Sequence, residues 1–252
     1  MNPSKPGRKN LLEGLVLDAP YVKETRRLLQ NLFRQQKSAS TEARSYMVTS
    51  AARGEGKSTT CALMAIVAAR VFRKRTLVMD GDLHRPTLHS LLGVTRGPGL
   101  FELMRGTIET DAAIRTTPLS NLWVISSGYP REMASEWYSD EAFRRVLQDL
   151  RPRFDIIFVD APPAVPAIEP ILMADHVDSI LIVALAGKTP LALVRRSIQV
   201  LAPAKDKIAG IVLNNAANGL PYYFNYSYYG YEDTRVAQAP RKKRLSQKDK
   251  SA

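Results

Sequence analysis

Short, unbroken apolar runs alternate along this chain with longer stretches whose apolar residues recur three and four apart. Tyr46-Met47-Val48, Leu77-Val78-Met79 and residues 121–126, 154–159, 179–185 and 208–213 are runs of the first kind, and each reads as a strand buried on both faces. The stretches between them predict helices. From Pro20 onward, Leu28, Leu29, Leu32 and Phe33 form an apolar stripe flanked by Arg26, Arg27 and Arg34, with Glu24 placed to pair with Arg27. Residues 61–71 are Ala-rich and apolar on most sides, as a core helix is. Residues 140–150 turn Ala142, Phe143, Val146, Leu147 and Leu150 to one side, residues 191–201 read as another helix, and 97–106 as a turn with a short one. Strand and helix in alternation predict an α/β domain, a mostly parallel central sheet with helices on both faces. It spans 20–215, after a loose leader at 1–19 with Pro3, Pro6, Gly7 and Gly14, and before a flexible tail at 216–252.

Between the first strand and its helix lies Thr49-Ser50-Ala51-Ala52-Arg53-Gly54-Glu55-Gly56-Lys57-Ser58-Thr59. A strand, a glycine-bearing loop and a helix opening on Lys-Ser-Thr make a phosphate cradle. Gly54 and Gly56 let backbone N–H groups turn toward an anion, and the helix N-terminus adds its positive dipole end. Arg53, Gly54, Glu55, Gly56 and Thr59 complete the loop, Lys57 is placed to reach the β- and γ-phosphates, and the Ser58 hydroxyl to hold Mg²⁺. This is the P-loop NTPase pattern, with Ala51 where its first glycine usually stands. The second strand ends in Asp80 and Asp82, and the fourth in Asp160 followed by Pro162 and Pro163. Parallel strands deliver their carboxyl ends to one crevice, so all three carboxylates are expected near the phosphates of bound ATP and its Mg²⁺.

Composition narrows the picture. With one cysteine, Cys61, there is no disulfide framework. Met1 to Asn10 is polar and basic, with no secretory h-region, and no apolar run approaches the roughly 20 residues of a membrane helix, so a cytoplasmic protein is expected. The net charge of +12 invites an acidic partner: nucleic acid, an anionic membrane face or an acidic protein segment. The tail carries Tyr222, Tyr223, Tyr226, Tyr228, Tyr229 and Tyr231 among Asn, Ser and Gly, then Arg241-Lys242-Lys243-Arg244. It reads as a low-complexity tail, as stacking platforms for a nucleic-acid strand, or as tyrosine substrates of the protein's own phosphoryl transfer.

Taken together, GEGKST, VMDGDLHRP, IIFVDAPP, GIVLNN and the tyrosine cluster resemble the bacterial tyrosine kinases of capsule and exopolysaccharide synthesis and export. The resemblance implies ATP- and Mg²⁺-dependent autophosphorylation of the tail, with Lys57, Asp80 and Asp82 catalytic, Asp80 orienting or deprotonating the attacking tyrosine. It further implies Ser58, Asp82 and Asp160 around the metal and Asn214 close to the adenine. As partners it implies a separate membrane chain-length regulator that activates the kinase, holding it at the inner face of the plasma membrane, a cognate phosphatase and a homo-oligomer, with no nucleic acid. The family's ring-assembly motif, Glu-x-x-Arg-x-x-Arg, reads Glu24-x-x-Arg27-x-x-Gln30, one cation fewer, and His84 replaces a frequent arginine. The competing reading is a MinD/ParA-type ATPase acting as a spatial switch. Those proteins typically carry a lysine where this chain has Ala52, and lack the tyrosine tail.

Overall fold

The computed structural model describes residues 10–34, 43–130 and 139–216. Its centre is a seven-stranded sheet in the order β3-β4-β2-β5-β1-β6-β7. The strands are β1 (Arg44–Ser50), β2 (Thr76–Asp80), β3 (Ile114–Thr116), β4 (Leu122–Ile125), β5 (Ile156–Asp160), β6 (Ser179–Leu185) and β7 (Ile208–Asn214). All neighbouring pairs are parallel except β3 with β4. The middle strands β1, β2 and β5 are buried along nearly their whole length, which is why they read as continuous apolar runs.

Helices cover both faces, as the alternation predicted. One face carries α2 (Pro20–Arg34), α3 (Lys57–Arg70) and α4 (Leu88–Leu92), packing Leu29, Leu32, Met64, Ile66 and Leu88 against Tyr46, Val48, Val78 and Phe158. The other carries α5 (Leu100–Met104), α6 (Thr110–Ala113), α7 (Asp140–Leu150) and α8 (Glu169–Ala174), with Phe143, Leu147 and Met173 against Met47, Met79, Ile157 and Ile182. α7 starts where Ser139 Oγ accepts the N–H of Ala142. α9 (Leu191–Val200) joins β6 to β7.

Residues 10–19, expected as part of a loose leader, hold a helical turn, α1 (Leu11–Gly14), opened by Asn10 accepting from the Leu12 N–H. Leu11, Leu12, Leu15 and Ala19 pack against the first core, so this segment belongs to the body. The short β3, α6 and α8 carry too few residues to show a period and were not expected. Tyr222 to Tyr231 lie outside the described residues.

Candidate functional site

The parallel register brings the sheet's carboxylates to one level. Asp80 lies beside Asp160 across the β2–β5 pair, and the loop 51–56 rises from the end of β1 on the other side of β5. Gly54 and Gly56 adopt φ of +83° and +90°, the left-handed backbone an anion-cupping loop requires. Ala51 is not among the positive-φ residues, so the missing first glycine costs the loop nothing. A Cβ on Gly56 would meet the side-chain amide of Asn214, and its left-handed φ disfavours any residue but glycine there.

In front of the loop opens a cavity of about 820 Å³. Arg53, Gly54, Gly56, Lys57, Ser58, Thr59 and Asp82 line it, as the spacing predicted. Lys57 Nζ is held 2.8 Å from Asp82 Oδ2 and 3.6 Å from Asp160 Oδ1. Burial opposes its charge, yet Asp160 and Asp82 raise its pKa above the ordinary lysine value. Asp82 Oδ1 also accepts the Arg85 N–H at 3.0 Å, which fixes the carboxylate's orientation.

Three expected contacts fall elsewhere. Asp80 is fully buried, does not line the cavity, and spends Oδ2 on the N–H groups of Thr87 and Leu88, both at 3.0 Å. Its placement therefore does not offer it to a tyrosine hydroxyl. Burial, then Asp160, raises its pKa well above the ordinary carboxylate range. Glu55 turns inward at 5% exposure, accepting from the Ala52 N–H at 2.9 Å and from the Thr189 hydroxyl. Asn214 donates its side-chain amide to the Glu55 carbonyl at 3.0 Å, also outside the cavity lining. Glu55 is thus a strut tying the loop to the ends of β6 and β7.

Asp160 is fully buried and, like Asp80, outside the cavity lining, but it stands 3.6 Å from Lys57 Nζ, and burial lifts its carboxyl to about 6 against the pull of Lys57. The Ser58 hydroxyl and Lys57 approach its carboxylate, but no contact to either of its oxygens, or to Asp80 Oδ1, reaches full hydrogen-bond geometry among the described residues. Buried carboxylate oxygens short of full hydrogen bonds beside a phosphate loop fit a bound Mg²⁺ and its water shell, with Ser58 and Asp82 as the facing oxygens.

Sequence reasoning did not find the opposite wall. Pro162, Pro163, Pro166, Ala167, Ile168 and Glu169 line the cavity together with His84 and Arg85. Glu169, 2% exposed at the start of α8, takes His84 Nε2 at 2.7 Å. The departure from arginine at His84 was the signal available, but its partner lies 85 residues on.

Comparison with known proteins follows the same lines. The ParA family model, described as NUBPL iron-transfer P-loop NTPase, matches residues 42–223. The tyrosine-protein kinase YwqD of Bacillus subtilis (strain 168) is 28% identical over 78% of this chain and 81% of its own. The tyrosine-protein kinase wzc of Salmonella typhi is 27% identical over 74% of this chain, which spans only 26% of that protein. Among solved structures, the kinase domain of the Escherichia coli tyrosine kinase ETK superposes with a TM-score of 0.73 at 27% identity, covering 84% of this chain and 82% of that one. The resemblance to bacterial tyrosine kinases and the mostly parallel P-loop fold are both borne out.

Proposed function

This chain belongs to the ParA family of P-loop NTPases, and on that premise we propose that it is a protein-tyrosine kinase that uses ATP and Mg²⁺ to phosphorylate its own C-terminal tyrosines. The observation that carries the reading is Lys57 bracketed by Asp82 and Asp160 at the mouth of the phosphate loop, in a chain whose relatives over most of its length are tyrosine-protein kinases. The iron-transfer part of the family description has no counterpart here, because Cys61 is the sole cysteine and is buried.

The loop N–H groups and the start of α3 hold the phosphates, and Lys57 neutralises charge on the transferring group. Mg²⁺, held by Ser58 and Asp82 with Asp160 behind them, supplies further charge neutralisation when bound. The acceptor's phenolic oxygen attacks the γ-phosphorus, the bond to the β-phosphate oxygen breaks, and ADP leaves. The phenolic proton passes to a cavity carboxylate or to water.

Among the described residues no helix is long and apolar enough to cross a membrane. Relatives such as wzc are far longer than this chain, which supports a partner protein at the membrane inner face as activator, serving capsule or exopolysaccharide export. The deciding measurement incubates the chain with ATP and Mg²⁺ and maps phosphotyrosine by mass spectrometry. Modified residues among Tyr222, Tyr223, Tyr226, Tyr228, Tyr229 and Tyr231, lost in Lys57→Met, are the expected result. ATP turnover without phosphotyrosine would point instead to a spatial-switch ATPase.

A further inference from the structure

The cavity is larger than the phosphate loop needs, and its two halves differ in chemistry. One half offers backbone N–H groups, Lys57, Ser58 and Asp82, the groups a magnesium triphosphate uses. The other is built by the segment from Pro162 to Glu169, between β5 and α8, and its surface is mainly apolar: Pro163, Pro166 and Ile168, with His84 and Arg85 at the rim. The phosphates gain nothing from prolines and an isoleucine, and a nucleobase seated there instead of an acceptor is the outcome that the ATP-analogue measurement below detects. Ile168 keeps 57% of its surface exposed. A lone exposed isoleucine is ordinary, but this one sits in a concave site beside the phosphate loop.

The wall is also rigid. Its prolines fix φ at four positions from Pro162 to Pro170. Thr49 Oγ1 donates to the Pro162 carbonyl at 2.6 Å, and the Ala164 N–H to the Ser50 carbonyl at 2.8 Å, which clamps the segment to the strand leading into the loop. Glu169, almost fully buried, holds His84 by Nε2. Such a surface is preorganised for a flat apolar group carrying one polar end.

We propose that this wall is the acceptor subsite: Ile168 with Pro163 and Pro166 seats the ring of the incoming tyrosine, and His84, steadied by Glu169, marks the hydroxyl end that faces the γ-phosphate. The inference rests on the kinase reading and adds to it the residues that choose an aromatic acceptor. It makes Ile168 a specificity residue rather than part of the nucleotide site.

The test uses the full chain and a synthetic peptide of residues 219–233. Ile168→Asp, a change at an exposed position, is expected to raise the KM for the peptide about tenfold, while the affinity for a fluorescent ATP analogue stays within about twofold. Ile168→Leu is expected to behave as the wild type. Peptide KM unchanged in Ile168→Asp, or a loss of nucleotide affinity matching the loss of peptide, overturns the assignment. A parallel binding measurement, labelled peptide with a non-hydrolysable ATP analogue, separates the two readings. Peptide binding that depends on Ile168 without any phosphate transfer removes the kinase reading and keeps the subsite. Binding that ignores Ile168 removes the subsite whatever the activity.

Discussion

Asp160 shows how one side chain sets the terms of the site. Its carboxyl is fully buried, with Lys57 Nζ 3.6 Å away. Burial therefore raises its pKa from the ordinary carboxylate value to about 6. The folded chain then binds this proton more readily than the unfolded one, so the stability linked to it is full at acidic pH and is lost as pH rises through about 6. Asp160→Asn removes the charge without changing the shape. At pH 8 the nucleotide-free variant is expected to melt a few degrees above the wild type, and the gap should close near pH 4, where Asp160 itself is protonated. Thermal melts at the two pH values check this, and an equal gap at both would show that the buried charge is not the cause. At this scale the contiguous groups were legible: Lys57, Ser58 and Asp82 line the cavity as their spacing requires. Asp80 was not, because a strand end locates a residue at the crevice without saying that backbone N–H groups of Thr87 and Leu88 will claim it.

Among the elements, the phosphate loop depends on pieces far from it in sequence. The Thr189 hydroxyl donates to Glu55 and accepts the Leu185 N–H at 2.8 Å, while Asn214, ending β7, holds the Glu55 carbonyl. The turn after β6 and the last strand thus brace the loop's middle. Removing the hydroxyl leaves a buried carboxylate oxygen short of its donor, a loss of about 1.5–3 kcal/mol for a charged acceptor. Thr189→Val is accordingly expected to weaken ADP binding by about tenfold, with Thr189→Ser close to wild type; titration with a fluorescent ADP analogue measures both. Equal affinities in all three proteins would show that the brace has no role in nucleotide binding. The long helices and inner strands were readable because each repeats its pattern several times. β3, with three residues, and α8, with six, repeat nothing, and α8 carries Glu169. For the same reason the wall opposite the loop stayed invisible until the fold placed it.

For the whole molecule, alternation of strands and helices dictated a parallel sheet but not the order in which strands lie. That order puts β1 between β5 and β6, so the strand that launches the phosphate loop has both neighbours from the later part of the chain. Thr49 and Pro162, which are hydrogen-bonded, stand 113 residues apart. A ribosome adding about 5–20 residues per second needs roughly 6–23 s to make that interval. Through all of it the nascent β1 has no strand beside it, and its apolar Tyr46, Met47 and Val48 stay open to solvent or to a chaperone. A chain ending at Arg153 holds every residue of the phosphate loop and is expected neither to melt cooperatively nor to bind ATP, whereas one ending at Asn215 should do both. Calorimetry on the two fragments decides it. Nucleotide capture then cannot begin as soon as the phosphate loop has been made: the motif becomes a binding site only when the ribosome has also added β5 and β6, more than a hundred residues later.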